Sequence, residues 1–296
     1  MRQIFLLLVF CLILSAPVHA APVRVFCAEA FWCDLARGLG GDAVRTESIL
    51  VSPAVDPHDF QVTPVTVRAL ASADIVIWTG GHYDDWIPPL LAAQPDPGRQ
   101  DIAIADLVPD TDRANPHLAD DPAAARALID RLSASLTTRL SRHPAGAEDS
   151  VMIERIAREK RRYDRQFDAL TGRLDALRTR YAGLPVAVGE PVGGPVFRAL
   201  GLRVVDADFA LATMRHEDPS PRDVARLEDA LRGREVRAFV TNPAMRVPSV
   251  IRLERIAREA GIPVVSLDEF PPPGLSWQDW MTDRIDRLQR ALDRHE

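Results

Sequence analysis

Cysteine is scarce in this chain of 296 residues: there are three, Cys11, Cys27 and Cys33. That excludes a disulfide-dense miniature scaffold and any cysteine-rich metal cluster. Basic residues are not in excess either, with 36 Lys and Arg against 42 Asp and Glu and a net charge of −6. Such a balance speaks against nucleic acid or an anionic membrane surface as the main partner. Past the first twenty residues no stretch is long and apolar enough to cross a bilayer, which takes about 20 residues. No low-complexity stalk marks an adhesin or structural surface protein, and no His-Glu-x-x-His pair marks a zinc hydrolase helix.

What is present begins at the N-terminus. Arg2, the apolar run Ile4 to Leu14 and the small residues around Val18-His19-Ala20 follow the order of a secretory signal. Residues 1–20 are therefore expected to be a cleaved signal peptide. Cys11 sits inside the apolar run without the small residues that precede a lipidated cysteine, so a free soluble protein outside the cytoplasm is expected. The remaining cysteines, Cys27 and Cys33, have two readings. In an oxidising compartment they close a short loop as a disulfide; otherwise they are two buried thiols.

Strand and helix signals alternate through the rest. Val23 to Phe26 reads as a strand, Ala30 to Leu39 as a helix stopped by Gly40-Gly41, Thr46 to Val51 as a strand, and Ile75 to Trp78 as a buried strand. Thr63-Pro64 opens a short helix, with the threonine as N-cap and the proline at the first helical position. From Ser150 to Tyr181 there is no proline. Ile156, Tyr163, Leu170 and Leu177 recur every seven residues, interleaved with Lys160, Phe167, Leu174 and Tyr181, which makes one apolar stripe on a helix roughly 45 Å long. A second alternating segment follows, with strands at Val186 to Val188, Leu202 to Val205, Ala238 to Val240 and Ile262 to Leu267. The expected fold is α/β, two similar lobes with mostly parallel sheets linked by one long helix. Its parts are an N-terminal lobe over 21–147, the helix over 148–183 and a C-terminal lobe over 184–296.

Ligands of open parallel sheets sit beyond the carboxyl ends of the strands. Four such segments carry metal-capable side chains: Asp56-Pro57-His58-Asp59-Phe60, Asn115-Pro116-His117-Leu118, Gly189-Glu190-Pro191 and Leu267-Asp268-Glu269. A lone loop histidine is more often hydrogen-bonded or solvated than ligating. Two Pro-His loops from one lobe and two strand-end carboxylates from the other make a joint donor set suited to a first-row divalent ion. His82, after Gly80-Gly81, reads as a surface or hydrogen-bonding residue with ligation as the lesser alternative.

These segments, with Gly40-Gly41-Asp42, Ala71-Ser72-Ala73-Asp74, Asp218-Pro219-Ser220-Pro221 and Pro272-Pro273-Gly274 to Trp280-Met281, resemble the zinc/manganese receptor proteins of metal ABC importers, the cluster with a rigid interlobe helix. The resemblance covers nearly the whole mature chain. It implies one metal ligand from each loop: His58, His117, Glu190 and Asp268. Asp268 is followed by Glu269, and a shift of one residue would exchange them; strand alternation points the two apart, and Asp268 is the expected ligand. The resemblance also implies a periplasmic, non-enzymatic binding protein that acts as a monomer, carries zinc or manganese as transported ligand, and delivers it to a cognate ABC permease in the inner membrane. Zinc-selective relatives carry histidine at the third ligand and a His-rich loop. Neither occurs between His58 and His117 or at Glu190, yet the subgroup resembled favours zinc. A metal-dependent hydrolase using the same cleft is the rival reading.

Overall fold

The computed structural model describes residues 21–52, 55, 57–58, 60–108, 115–142, 147–272 and 274–295. The expected signal peptide, with Cys11, lies outside the described residues, as do Asp56 and Asp59 beside His58. Among the described residues no helix is long and apolar enough to cross a membrane.

The first lobe runs β1 (Val23–Glu29), α1 (Ala30–Gly40), β2 (Val44–Leu50), α2 (Pro64–Ala71), β3 (Ile75–Trp78), α3 (Ile87–Ala93), β4 (Gln100–Ala103), α4 (Ile104–Leu107) and α5 (Pro122–Arg142). Its four strands are all parallel in the order β2-β1-β3-β4. After the long α6 (Ala147–Tyr181), the second lobe runs β5 (Pro185–Val188), α7 (Gly194–Leu200), β6 (Arg203–Val204), α8 (Ala207–Met214), α9 (Pro221–Arg232), β7 (Phe239–Thr241), α10 (Pro248–Glu259), β8 (Val264–Ser266) and α11 (Trp277–Leu292). Its strands repeat the arrangement, parallel in the order β6-β5-β7-β8. The two-lobed parallel α/β fold expected from the sequence is the fold observed. In each sheet a central strand is flanked on both sides by later ones, so a crevice opens at the carboxyl edge where chain order reverses.

Local chemistry explains the helix starts. Thr63 accepts from the Thr66 backbone N–H at 3.3 Å, and Thr66 reciprocates toward the Thr63 backbone, forming a capping box before Pro64. Ser220 and Ser276 cap α9 and α11 by accepting from Asp223 and Asp279. The heptad stripe of α6 lies where it is needed: Ile156, Tyr163, Phe167, Leu174, Leu177 and Tyr181 are buried. Leu170 is half-buried, and Lys160 pairs with Asp130 and Asp164. The cysteines take the first of their two readings, a Cys27–Cys33 disulfide joining β1 to α1.

Although α11 follows the last strand of the second sheet, it packs on α1 and α6 as well as β8. Phe31 of α1 meets Phe270 at 5.4 Å and Trp280 at 6.4 Å between ring centroids, and Phe167 of α6 meets Trp277 edge-on at 5.7 Å. Trp277 donates its ring N–H to the Ala119 carbonyl at 2.7 Å. The largest core cluster therefore runs through both sheets without a break.

Candidate metal centre

Four loops converge between the carboxyl edges of the two sheets. His117 follows Asn115-Pro116, Glu190 follows β5, and Glu269 lies three residues beyond β8. One ligand atom from each of these three lies within 4.8 Å of the others. His117 Nε2 stands 3.8 Å from Glu190 Oε1 and 3.7 Å from Glu269 Oε1, and among the described residues it has no partner at hydrogen-bond distance. Those gaps are close to the ~3.4 Å edge of a tetrahedron built on metal–ligand bonds of ~2.1 Å. His58 joins from the β2–α2 loop, its ring 5.9 Å from that of His117.

Each donor is aimed by a second residue. Asn115 Oδ1 accepts from the His117 backbone N–H at 3.2 Å while its Nδ2 donates to the Pro191 carbonyl at 2.8 Å, which fixes the amide orientation. His117 Nδ1, 2.8 Å from that same oxygen, must then carry a proton, leaving Nε2 as the ligating nitrogen of the neutral ring. His58 Nδ1 lies 3.3 Å from the His82 carbonyl, which likewise assigns its Nε2 as the nitrogen able to ligate. Asn242, immediately after β7, donates to Glu190 Oε2 at 2.8 Å and to Glu269 Oε1 at 2.7 Å. Tyr83 donates to Glu269 Oε2 at 3.1 Å across the lobe boundary, with its ring edge-on to both histidines.

The turn that delivers Tyr83 has Gly80, Gly81 and His82 all at positive φ, and Asp84 anchors it by accepting the Thr79 and Gly80 N–H groups at 2.8 Å each. Left-handed backbone at His82 turns its carbonyl inward and its side chain out. That side chain is 85% exposed and pairs with Asp85 at 3.0 Å, so His82 takes the surface role that the sequence favoured. Thr79 also donates to the buried Glu29, and burial, with Asp84 next, pushes the Glu29 carboxyl well up.

Burial dominates the titration of the cluster. It pushes the Glu190 carboxyl up to about 8, reinforced by Glu269 and opposed by His117. Burial acts the same way on Glu269, but the facing histidine, then His58, outweighs it and holds that carboxyl low. Burial would lower His117, yet Glu269, Glu190 and Asp120 together raise it. The arrangement is a buried cage that offers imidazole nitrogen and carboxylate oxygen to a cation once its protons are displaced.

Asp268, the carboxylate expected to ligate, lies outside that cluster. Its carboxylate faces Arg287 at 3.8 Å on α11, and the neighbouring Glu269 is the one placed beside His117 and Glu190. The reason is parity. Val265 and Leu267 are buried, so Glu269 continues their side while Asp268 continues that of Val264 and Ser266. Sequence reasoning counted alternation from an assumed strand end at Leu267, without knowing which parity faced the crevice. It also missed Asn242 and Tyr83 as partners of the site. Thr241-Asn242-Pro243 ends a strand like the four segments singled out, and that position was the available signal.

The fold has relatives. The periplasmic zinc binding protein TroA of Treponema pallidum superposes with a TM-score of 0.72 at 18% identity, over 92% of this chain and 99% of that one. FpvC of Pseudomonas aeruginosa, solved with Mn2+, gives 0.73 at 18% identity, over 93% and 100%. At that identity the likeness establishes fold. In sequence, the iron-binding protein YfeA of Yersinia pestis is 29% identical over 122 residues, 39% of this chain and 38% of that protein. The manganese-binding lipoprotein MntA of Bacillus subtilis is 32% identical over 76 residues, 26% of this chain and 24% of that protein. The aligned stretches thus span well under half of either relative. The profile of the family described as ZnuA, zinc-uptake complex component A, periplasmic, matches residues 25–291. With nearly the whole chain under that one profile, the chain belongs to the ZnuA family.

Proposed function

We propose that this protein is an exported receptor that captures a divalent transition metal, zinc favoured and manganese next, and hands it to an ABC permease. The ion is cargo rather than a resident cofactor. We assign His58, His117, Glu190 and Glu269 as its ligands, with Glu269 in place of Asp268. The observation that carries the reading is the convergence of imidazole and carboxylate donors from four loops of both lobes, each aimed by Asn115, Asn242, Tyr83 or a backbone carbonyl. Relatives named for zinc, manganese and iron fit the same donor chemistry. Two nitrogens and two oxygens suit several first-row ions, and the Irving–Williams order favours zinc over manganese at such a set. Residues 1–20 act as the signal peptide in this reading, and the mature protein works as a periplasmic monomer.

Four protein donors fill a tetrahedral ion, so no position is reserved for a nucleophilic water, as a hydrolase would need. Calorimetric titration of the metal-free protein with zinc and with manganese tests the proposal. One equivalent binds tightly, zinc more so, with no hydrolytic turnover of ester or peptide substrates. Glu269→Gln weakens zinc by roughly 100-fold, a quarter of the ~10–16 kcal/mol of a four-ligand site, whereas Asp268→Asn stays within about twofold. Full affinity in a His58→Ala, His117→Ala double variant would sink the assignment.

A further inference from the structure

We infer that Arg284 is a positioning residue for the metal site, tying together two ligand loops that approach from opposite lobes. The inference rests on His117 and Glu269 being ligands. Arg284 lies on α11 with its side chain only 4% exposed. Its Nη2 donates to Asp120 Oδ2 at 2.6 Å, and its Nη1 donates to the backbone carbonyl of Asp268. Asp120 closes the tight turn Leu118–Asp120 that starts directly after His117, and Asp268 directly precedes Glu269. One rigid guanidinium thus grips both loops beside their ligands without itself facing the ion.

The surroundings hold the guanidinium from behind. Its carbon sits 4.5 Å from the Trp280 ring centroid, and Trp280 is stacked on Phe31 of α1. Asp120 is as buried as Arg284, so each charge is compensated only while the two loops keep this spacing. One turn along α11, Arg287 takes the Asp268 carboxylate and also pairs with Asp283 at 2.7 Å. Asp268 is therefore anchored at both its carbonyl and its carboxylate, and that anchoring turns the next side chain, Glu269, into the crevice. The pair Asp268-Glu269 reads as anchor followed by ligand. Arginine suits the task because its planar fork meets two acceptors in fixed directions, which a single lysine ammonium does not.

The test uses the full chain freed of metal, titrated with zinc chloride by calorimetry and with Co2+ followed by its d–d absorption, which reports coordination geometry. Arg284→Lys keeps the buried charge but loses the fork. It is expected to fold, as judged by circular dichroism, to bind zinc about tenfold more weakly and to shift the Co2+ spectrum. Arg173→Met is the control, since Arg173 of α6 also grips α11, through Asp286 and Gln289 at 3.1 Å, but touches no ligand loop. It should lower the melting temperature and leave both metal readouts unchanged. If Arg284→Lys does not fold, Asp120→Asn carries the same expectation, because it keeps an acceptor for the guanidinium but drops the charge that compensates it. Wild-type affinity and an unshifted Co2+ spectrum in the folded Arg284 or Asp120 variant overturn the inference. So does an equal loss in the Arg173 control, which would show general loosening. Failure of the wild type to bind either ion overturns the receptor reading as well, and is thereby distinguishable.

Discussion

His117, Glu190 and Glu269 hold their protons as a group, and that governs how the site meets a cation. Burial raises Glu190 to about 8, and the two glutamates and Asp120 raise His117 above its ordinary 6.5. Near neutral pH the metal-free site therefore carries a protonated Glu190, and His117 keeps its proton to higher pH than an ordinary histidine because Glu269 and Glu190 face it. Both groups must lose a proton to ligate, so binding strengthens as pH rises through their raised pKa values, about 8 for Glu190. Below that, affinity falls on acidification, by up to about two decades per pH unit where both protons are displaced. An unperturbed histidine alone would place that fall below about 6.5; burial of Glu190 moves the onset upward. Zinc titrations in buffers of different ionisation enthalpy should show roughly one to two protons released at pH 7. Affinity unchanged between pH 6 and 8 would contradict this proton inventory.

At the scale of elements, the start of α7 decides how closely the lobes approach. A Cβ on Gly194 would lie 2.1 Å from Asn115 Nδ2, the atom that bonds the Pro191 carbonyl. Gly194→Ala must therefore push the Asn115 amide aside and release His117 Nδ1 from its partner. About a tenfold loss of zinc affinity is expected, the usual cost of losing an orienting group behind a ligand. A Cβ on Gly172, in the middle of α6, would meet nothing within 4 Å. Gly172→Ala should stabilise the chain by about 0.5–1 kcal/mol through helix propensity and leave zinc affinity alone. Urea unfolding and calorimetry on the two variants separate these effects, and equal zinc binding by both would refute the role given to Gly194. Gly194 opens α7, directly before Pro195 in its first turn. Its contact with Asn115, some eighty positions earlier, carries no local signature. α8 went unread for a similar reason, because Ala207–Met214 is short and apolar on most sides and is defined by packing rather than by period.

For the whole molecule, the unbroken core through α1, α6, α11 and both sheets implies that the lobes unfold together. Scanning calorimetry of the metal-free mature chain should show one transition with equal calorimetric and van't Hoff enthalpies; two resolved transitions would mean that the lobes are independent. Shared packing also makes a wide hinge opening between the lobes costly. The sequence by itself determined the alternating α/β order, the long helix with its buried stripe, and the loops that carry three of the four proposed donors. These are written in local periodicity and in proline-flanked loops at strand ends, where neighbours along the chain set the geometry. It left open whether Cys27 and Cys33 pair, because spacing does not report sulfur separation. The tertiary structure alone places Glu269 rather than Asp268 beside His117 and Glu190, adjacent carboxylates of the same chemistry whose directions depend on which side of β8 faces the other lobe. It alone brought Asn242, Tyr83 and Arg284 to the site, since contacts between residues far apart in sequence arise from packing and leave no pattern along the chain.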